Sequence, residues 1–129
     1  TFGGSSYDYG TSIATDASGN IFATGFFYST VDFDPSEGTD SHSSNGSYDI
    51  FITKLNSDGT YGWTKTFGGS SSDIGNSIAT DASGNIFATG YFYGTVDFDS
   101  LTGEDFHTSN GTLNGTFNIF IMKLNASEE

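Results

Sequence analysis

The fourteen residues SIATDASGNIFATG, running from Ser12 to Gly25, recur letter for letter from Ser77 to Gly90. Around them, residues 1–46 match residues 66–111 at 35 of 46 positions. The match resumes beyond a four-residue insertion, Thr112 to Gly115, where Tyr48–Asn56 aligns with Phe117–Asn125. The insertion follows an Asn-Gly turn, a place where extra length is tolerated. The 129-residue chain is therefore two copies of one supersecondary unit, residues 1–65 and 66–129. Repeated units of this kind bury their apolar faces against neighbours, not alone.

Each unit reads as β-structure. Helix formers are scarce, glycine and aromatic residues are abundant, and no stretch shows apolar residues at helical spacing over three turns. The pattern predicts strands over about 12–15, 20–27, 49–55 and 60–67, with a shorter one over 30–33 before a long loop. Asp16-Ala17-Ser18-Gly19 and Asn56-Ser57-Asp58-Gly59 have turn chemistry. Ile21-Phe22-Ala23 and Ile50-Phe51-Ile52 are apolar on both faces, which implies sheets covered on both sides. The expected fold is all-β: two tandem four-stranded antiparallel blades of the propeller type, belonging to a larger propeller, ring or filament. A two-sheet β-sandwich is the alternative.

The run Trp63-Thr64-Lys65-Thr66-Phe67-Gly68-Gly69, with Asp73, the repeated fourteen residues and Asp49-Ile50-Phe51-Ile52-Thr53-Lys54-Leu55-Asn56, resembles the bacterial β-propeller repeats called SBBP repeats. The inserted Val31-Asp32-Phe33-Asp34 segment makes it similar to a long-blade version. The resemblance implies a large secreted or surface bacterial protein and no single activity. Copy two departs from the pattern. It stops at Asn125-Ala126-Ser127-Glu128-Glu129 and lacks the Trp-bearing fourth strand, leaving an edge open to pairing. The chain opens at Thr1 with no visible signal peptide, as a processed or excised piece of something longer would.

The formal charge is −13, and Lys54, Lys65 and Lys123 are the only lysines or arginines. Such a surface repels phosphate backbones and anionic lipid, which argues against nucleic acid and membrane surfaces as partners. No run of 18 apolar residues occurs, so no membrane-inserted helix is expected. Cysteine is absent, which removes disulfides, thiolate metal sites and cysteine nucleophiles together.

Asp32, Asp34, Ser36 and Asp40 place oxygen ligands at alternate positions of one loop, a spacing suited to Ca²⁺. Asp97, Asp99 and Asp105 repeat the pattern, while Leu101 replaces the serine. The competing reading is a polar loop whose aspartates cap turns. Asp16 and Asp81 read as turn formers. His42 and His107, each two residues after an Asp, supply too few ligands for zinc. Tyr28, Trp63 and Tyr93 are candidates for stacking against a sugar, although strand aromatics serve first as packing. Four Asn-x-Ser/Thr sequons, at Asn45, Asn110, Asn114 and Asn125, coincide largely with Asn-Gly turns. No nucleophile elbow, phosphate loop or zinc-helix motif is present, so an enzyme is not expected. The sequence thus predicts a structural or interaction module of a bacterial extracellular or surface protein, associating edge to edge with further copies of the repeat. A calcium-dependent, glycan-directed binding module is the rival.

Overall fold

A computed structural model describes residues 1–99, 103–110 and 116–126. In chain order the strands are β1 (Gly3–Gly4), β2 (Asp8–Thr15), β3 (Ile21–Phe27), β4 (Thr30–Asp32), β5 (Ser41–Ser43) and β6 (Asp49–Leu55). They continue as β7 (Tyr61–Phe67), β8 (Ile74–Thr80), β9 (Ile86–Phe92), β10 (Thr95–Asp97), β11 (Phe106–Thr108) and β12 (Asn118–Leu124). All pairings are antiparallel. The first copy forms a four-stranded sheet ordered β2-β3-β6-β7; the second forms a three-stranded sheet ordered β12-β9-β8. Both sheets are open.

The strands follow the expectation with two corrections. The segment after Thr30 is not simply a long loop: β4 pairs with β5, and β10 with β11, as short hairpins folded beside each sheet. Residues Gly3–Gly4, for which the pattern predicts no strand, pair with β4. Both hairpin turns of the repeated stretch put glycine in the left-handed region, Gly19 at φ 82° and Gly84 at φ 81°, where a side chain is strained. Asp16 closes its turn by accepting the N–H groups of Ser18 and Asn20, each at 2.9 Å.

The strands β3 and β9 differ only at Phe26 and Tyr91, and their first four residues are buried in opposite phase. In that stretch of β3, Phe22 and Thr24 are sealed from solvent, while Ile21 and Ala23 are half-exposed. In β9 the sealed ones are Ile86 and Ala88, while Phe87 is exposed. Since successive side chains point to opposite faces, the two sheets use opposite faces. They use them against each other. Phe22, Ile50, Ile52 and Phe67 of the first sheet share one core with Ile78, Ile86, Ala88, Phe92, Phe120, Met122 and Leu124 of the second. A smaller core forms on the far face of the first sheet, where Val31 and Phe33 of the hairpin segment cover Phe27 and Phe51.

Hydrogen bonds fix the stacking. A bulge between Gly10 and Ser12 turns Thr11 outward, and its hydroxyl donates to the carbonyl of Gly75 at 2.7 Å. Thr80 Oγ1 donates to the Thr15 carbonyl at 2.7 Å. Gly75 lies so close to the first sheet that a Cβ there would stand 2.6 Å from Thr24 Oγ1 and 2.9 Å from the Gly25 carbonyl. Its counterpart Gly10 has nothing within 4 Å of that position. Gly75→Ala is therefore expected to cost about 2 kcal/mol, and Gly10→Ala less than about 0.5 kcal/mol, in the unfolding free energy. Urea denaturation of the two variants checks this, and equal losses would show that Gly75 is not a contact point.

Candidate functional site

The two aspartate loops are built alike. Asp32 Oδ1 accepts the N–H groups of Asp34 at 3.1 Å and Asp40 at 2.9 Å. Asp34 Oδ1 accepts both the N–H and the hydroxyl of Ser36, at 2.8 and 2.6 Å. Asp40 takes His42 Nε2 at 3.1 Å and the hydroxyl of Tyr61. In copy two, Asp97 Oδ1 accepts the N–H groups of Asp99 and Asp105, and Asp105 pairs with His107 at 3.0 Å. Those N–H donors, Asp105 first, hold the Asp97 carboxyl below its ordinary value. Asp32, Asp34, Ser36 and Asp40 are thus gathered in one loop, with several of their carboxylate oxygens turned to donors within it. Among the described residues no group of three or more His, Asp or Glu side chains is placed to hold a metal ion. Leu101, which takes the serine's place, lies outside the described residues. Gly38 and Gly103 serve the loops by their lack of bulk: a Cβ would meet the Asp34 or Asp99 carboxylate at 2.1 or 2.2 Å.

The aromatic candidates are not brought together. Trp63 pairs with Lys54, at the end of the sheet that carries the Asp16 turn, and its ring packs against Phe22 at 6.3 Å between centroids. Tyr28 follows the other end of β3 and lies against Tyr48 at 5.8 Å. Tyr93 lies against Phe117 at 6.0 Å in the second copy. The sequence reading missed the aromatic cluster around Tyr28, in which Tyr7, Tyr9, Phe26 and Tyr48 are ring neighbours in series. Its signal was the i, i+2 pair Tyr7 and Tyr9, which alternation puts on one face. Asp16 and Asp81 are turn residues: the side chains of Asn20 and Asn85, followed by backbone N–H groups, hold their carboxyls below the ordinary value. His42 bonds Thr66 Oγ1 at 3.2 Å as well as Asp40, a structural tie. Of the sequons, Asn45 is tied to Asp49 and Gly68, and Asn114 lies outside the described residues.

Residues 2–34 and 62–91 each match the SBBP beta-propeller repeat model, and each match spans a Phe-Gly-Gly segment and the turn that follows it. The chain carries SBBP beta-propeller repeats. No curated protein matches it. SBBP repeats are structural units, generally without enzymatic activity.

Where one SBBP repeat meets the next, two carboxyl groups are buried. Asp49 opens β6 and Asp73 precedes β8; they are 1% and 0% exposed. Asp73 accepts the N–H groups of Gly69 at 2.8 Å and Tyr93 at 3.2 Å. Asp49 Oδ2 accepts the Asn45 N–H at 3.1 Å, while its Oδ1 has no partner. Gly68 packs directly on this carboxyl, where a Cβ would stand 2.1 Å from its carbon. Burial pushes Asp49 up to about 7, against the Asn45 bond and helped by the charge of Asp73. Burial also raises Asp73 to about 6. The signal for this pair was an Asp at the head of an apolar strand, which predicts either a paired or a neutral carboxyl.

A carboxyl that holds its proton more tightly when folded favours the folded state below its unfolded pKa. That advantage is lost as pH rises through the folded value. Asp49→Asn removes most of this loss and keeps the acceptor. We expect the variant to unfold with about 2 kcal/mol more free energy at pH 8 and nearly unchanged free energy at pH 4. Urea titrations at the two pH values decide it; equal effects at both would mean that the Asp49 carboxyl does not titrate on folding.

Proposed function

We propose that this chain is a structural interaction module of a bacterial extracellular or surface protein. Its two repeats are consecutive members of a longer stack completed by further copies of the same repeat. One observation carries the reading: each exposed outer face repeats a face that is buried inside the chain. Ile13 is 68% exposed on the first sheet, whereas its counterpart Ile78 is 6% exposed against the first sheet. Ile119 and Ile121 are 78% and 82% exposed on the second sheet, whereas Ile50 and Ile52 are sealed. The open ground beside Gly10 has the same logic, since Gly75 is the glycine that makes room for a neighbouring sheet.

The outer face of the second sheet and the outer face of the first are therefore complementary in the way the two internal faces are. Such a contact is heterologous, head to tail. It closes into a ring or runs on as a filament according to the rotation per repeat. A contiguous apolar surface of this kind on an otherwise acidic chain marks an interaction site. On the outer face of the first sheet the hairpin segment covers Phe27 and Phe51 and leaves Ile13 exposed.

Light scattering across a concentration series tests the reading. The wild-type mass is expected to rise through multiples of 13.6 kDa, and to rise further with salt as the repulsion of the −13 charge is screened. Ile121→Lys blocks one end and Ile13→Lys the other; each lowers the net negative charge, so repulsion cannot explain a loss of assembly. Each variant alone should stay at 13.6 kDa, and the two should not both be lost by mixing: the pair retains one good end each and forms a dimer. A wild-type chain that stays monomeric at millimolar concentration overturns the proposal.

A further inference from the structure

Apart from the stacking faces, the joint between the two repeats carries an aromatic ridge. Tyr7, Tyr9, Phe26, Tyr48 and Tyr28 are ring neighbours in series, with centroids 6.5, 4.9, 5.2 and 5.8 Å apart. Alternation puts Phe26 on the same face of β3 as Phe22, the face on which the second sheet lies. Tyr9 pairs with Phe26 and shares that face. The second repeat already occupies this side of the sheet, and it leaves the ridge in solvent: Tyr7 is 69% and Tyr9 46% exposed. Its entry segment fixes the base of the ridge, where Ser72 Oγ donates to Ser47 Oγ and the Asp73 N–H to the Tyr48 carbonyl, each at 2.8 Å. The ridge belongs to the first copy. The counterparts of Tyr7 and Tyr9 are Ser72 and Ile74, and Ile74 is buried. The repeat therefore folds without these two rings.

Charge decides what such a ridge takes. Lys54, Lys65 and Lys123 are the chain's only lysines or arginines, and each stands over a ring, of Phe22, Trp63 and Phe87, at 5.8, 5.3 and 5.9 Å. None of those rings belongs to the ridge. A ring face attracts a cation, and the field of a −13 chain draws cations and repels anions. We propose that the Tyr7–Tyr9 ridge binds an extended, arginine-bearing segment of a basic partner protein. The two rings are within 15° of parallel and 6.5 Å apart. Alternate side chains of an extended segment are about 6.6 Å apart, so Arg-x-Arg places two guanidinium groups at the ring spacing. A planar guanidinium stacks on a ring where an ammonium makes a point contact, so the ridge prefers arginine to lysine.

The experiment uses the whole chain, at a concentration where light scattering gives a monomer, and a capped Arg-Gly-Arg-Gly-Arg peptide at physiological salt. NMR titration should show one saturable site per chain, with the Tyr7 and Tyr9 ring signals shifting. Tyr7→Leu and Tyr9→Leu leave the charge unchanged. Each should weaken binding about threefold and the two together about tenfold, the effect of one and two exposed cation–π contacts. Tyr9→Phe keeps the ring and should bind within about twofold of wild type. The corresponding lysine peptide should bind about threefold more weakly. A citrulline peptide, which keeps the shape without the charge, should not saturate. Peptide binding that both leucine variants leave unchanged is counterion attraction to an acidic chain, and it overturns the proposal. Absence of saturable binding overturns it too, as does a ridge that takes the neutral sugar cellohexaose instead of the arginine peptide.

Discussion

The structure depends on one contact: an apolar sheet face lying flat on the opposite face of its neighbour. Neither sheet could hold its strands without it. Phe22 and Ile52 on one side, Ile86 and Met122 on the other, are buried only because the second sheet lies on the first. A small sheet with no partner leaves too much apolar surface in water to offset the entropy of ordering its strands. The consequence appears in the repeated stretch itself. The same letters, IFAT, are buried at the second and fourth places in one copy and at the first and third in the other. Sequence decides which residues form the strand, and position in the stack decides which of its faces is dry.

The rest of the repeat is self-contained, which allows it to be copied almost unchanged. Each turn is closed by side chains a few residues away, Asp16 by Asn20 and Ser18, Asp34 by Ser36. Each short hairpin is tied by a hydroxyl to its own approach, Ser29 to Ser44 and Gly94 to Ser109. Local bonds of this sort survive duplication, since a second copy brings all its partners along. Outside their own unit reach the stacking faces, the buried Asp49, and the loop residues His42 and Asn45, which meet Thr66 and Gly68. The acidic charge fits this division, because carboxylates that fold loops by accepting N–H groups need no cations nearby.

Much of this was legible in the sequence. The repeat, the major strands within a few residues, and the turn at Asp16 follow from alternation and turn chemistry. The hairpin strands Ser41–Ser43 and Phe106–Thr108 were not, because three residues, Ser-His-Ser in one copy and Phe-His-Thr in the other, are too few to show an apolar period. The aspartate loop was legible as a loop with oxygens at alternate positions. The direction of those oxygens was not, since spacing says nothing of whether a carboxylate meets an ion or a backbone N–H. Trp63 and Tyr28 carry the same chemical promise in one dimension, yet they stand at opposite ends of one sheet. Opposite-phase burial was beyond reach for a simpler reason: identical letters cannot announce different surroundings.

The places where the copies differ show what the fold requires. Asp49 and Asn118 occupy the same place at the head of a strand, and each accepts a backbone N–H from the loop before it, from Asn45 and Asn110. The shared requirement is the acceptor, not the charge. At Asp49 the next unit's Asp73 and Gly68 close over the carboxyl and make its ionisation costly. At Asn118 the side chain is an amide, which fills the same acceptor role at every pH. Thr53 and Met122 diverge in the same sense, a hydroxyl where β7 brings a hydroxyl and an apolar group where the strand edge is open. The two repeats are thus one fold in two positions. Two of their differences, at Asp49 and Thr53, fall on β6 and its counterpart β12, strands whose neighbours differ.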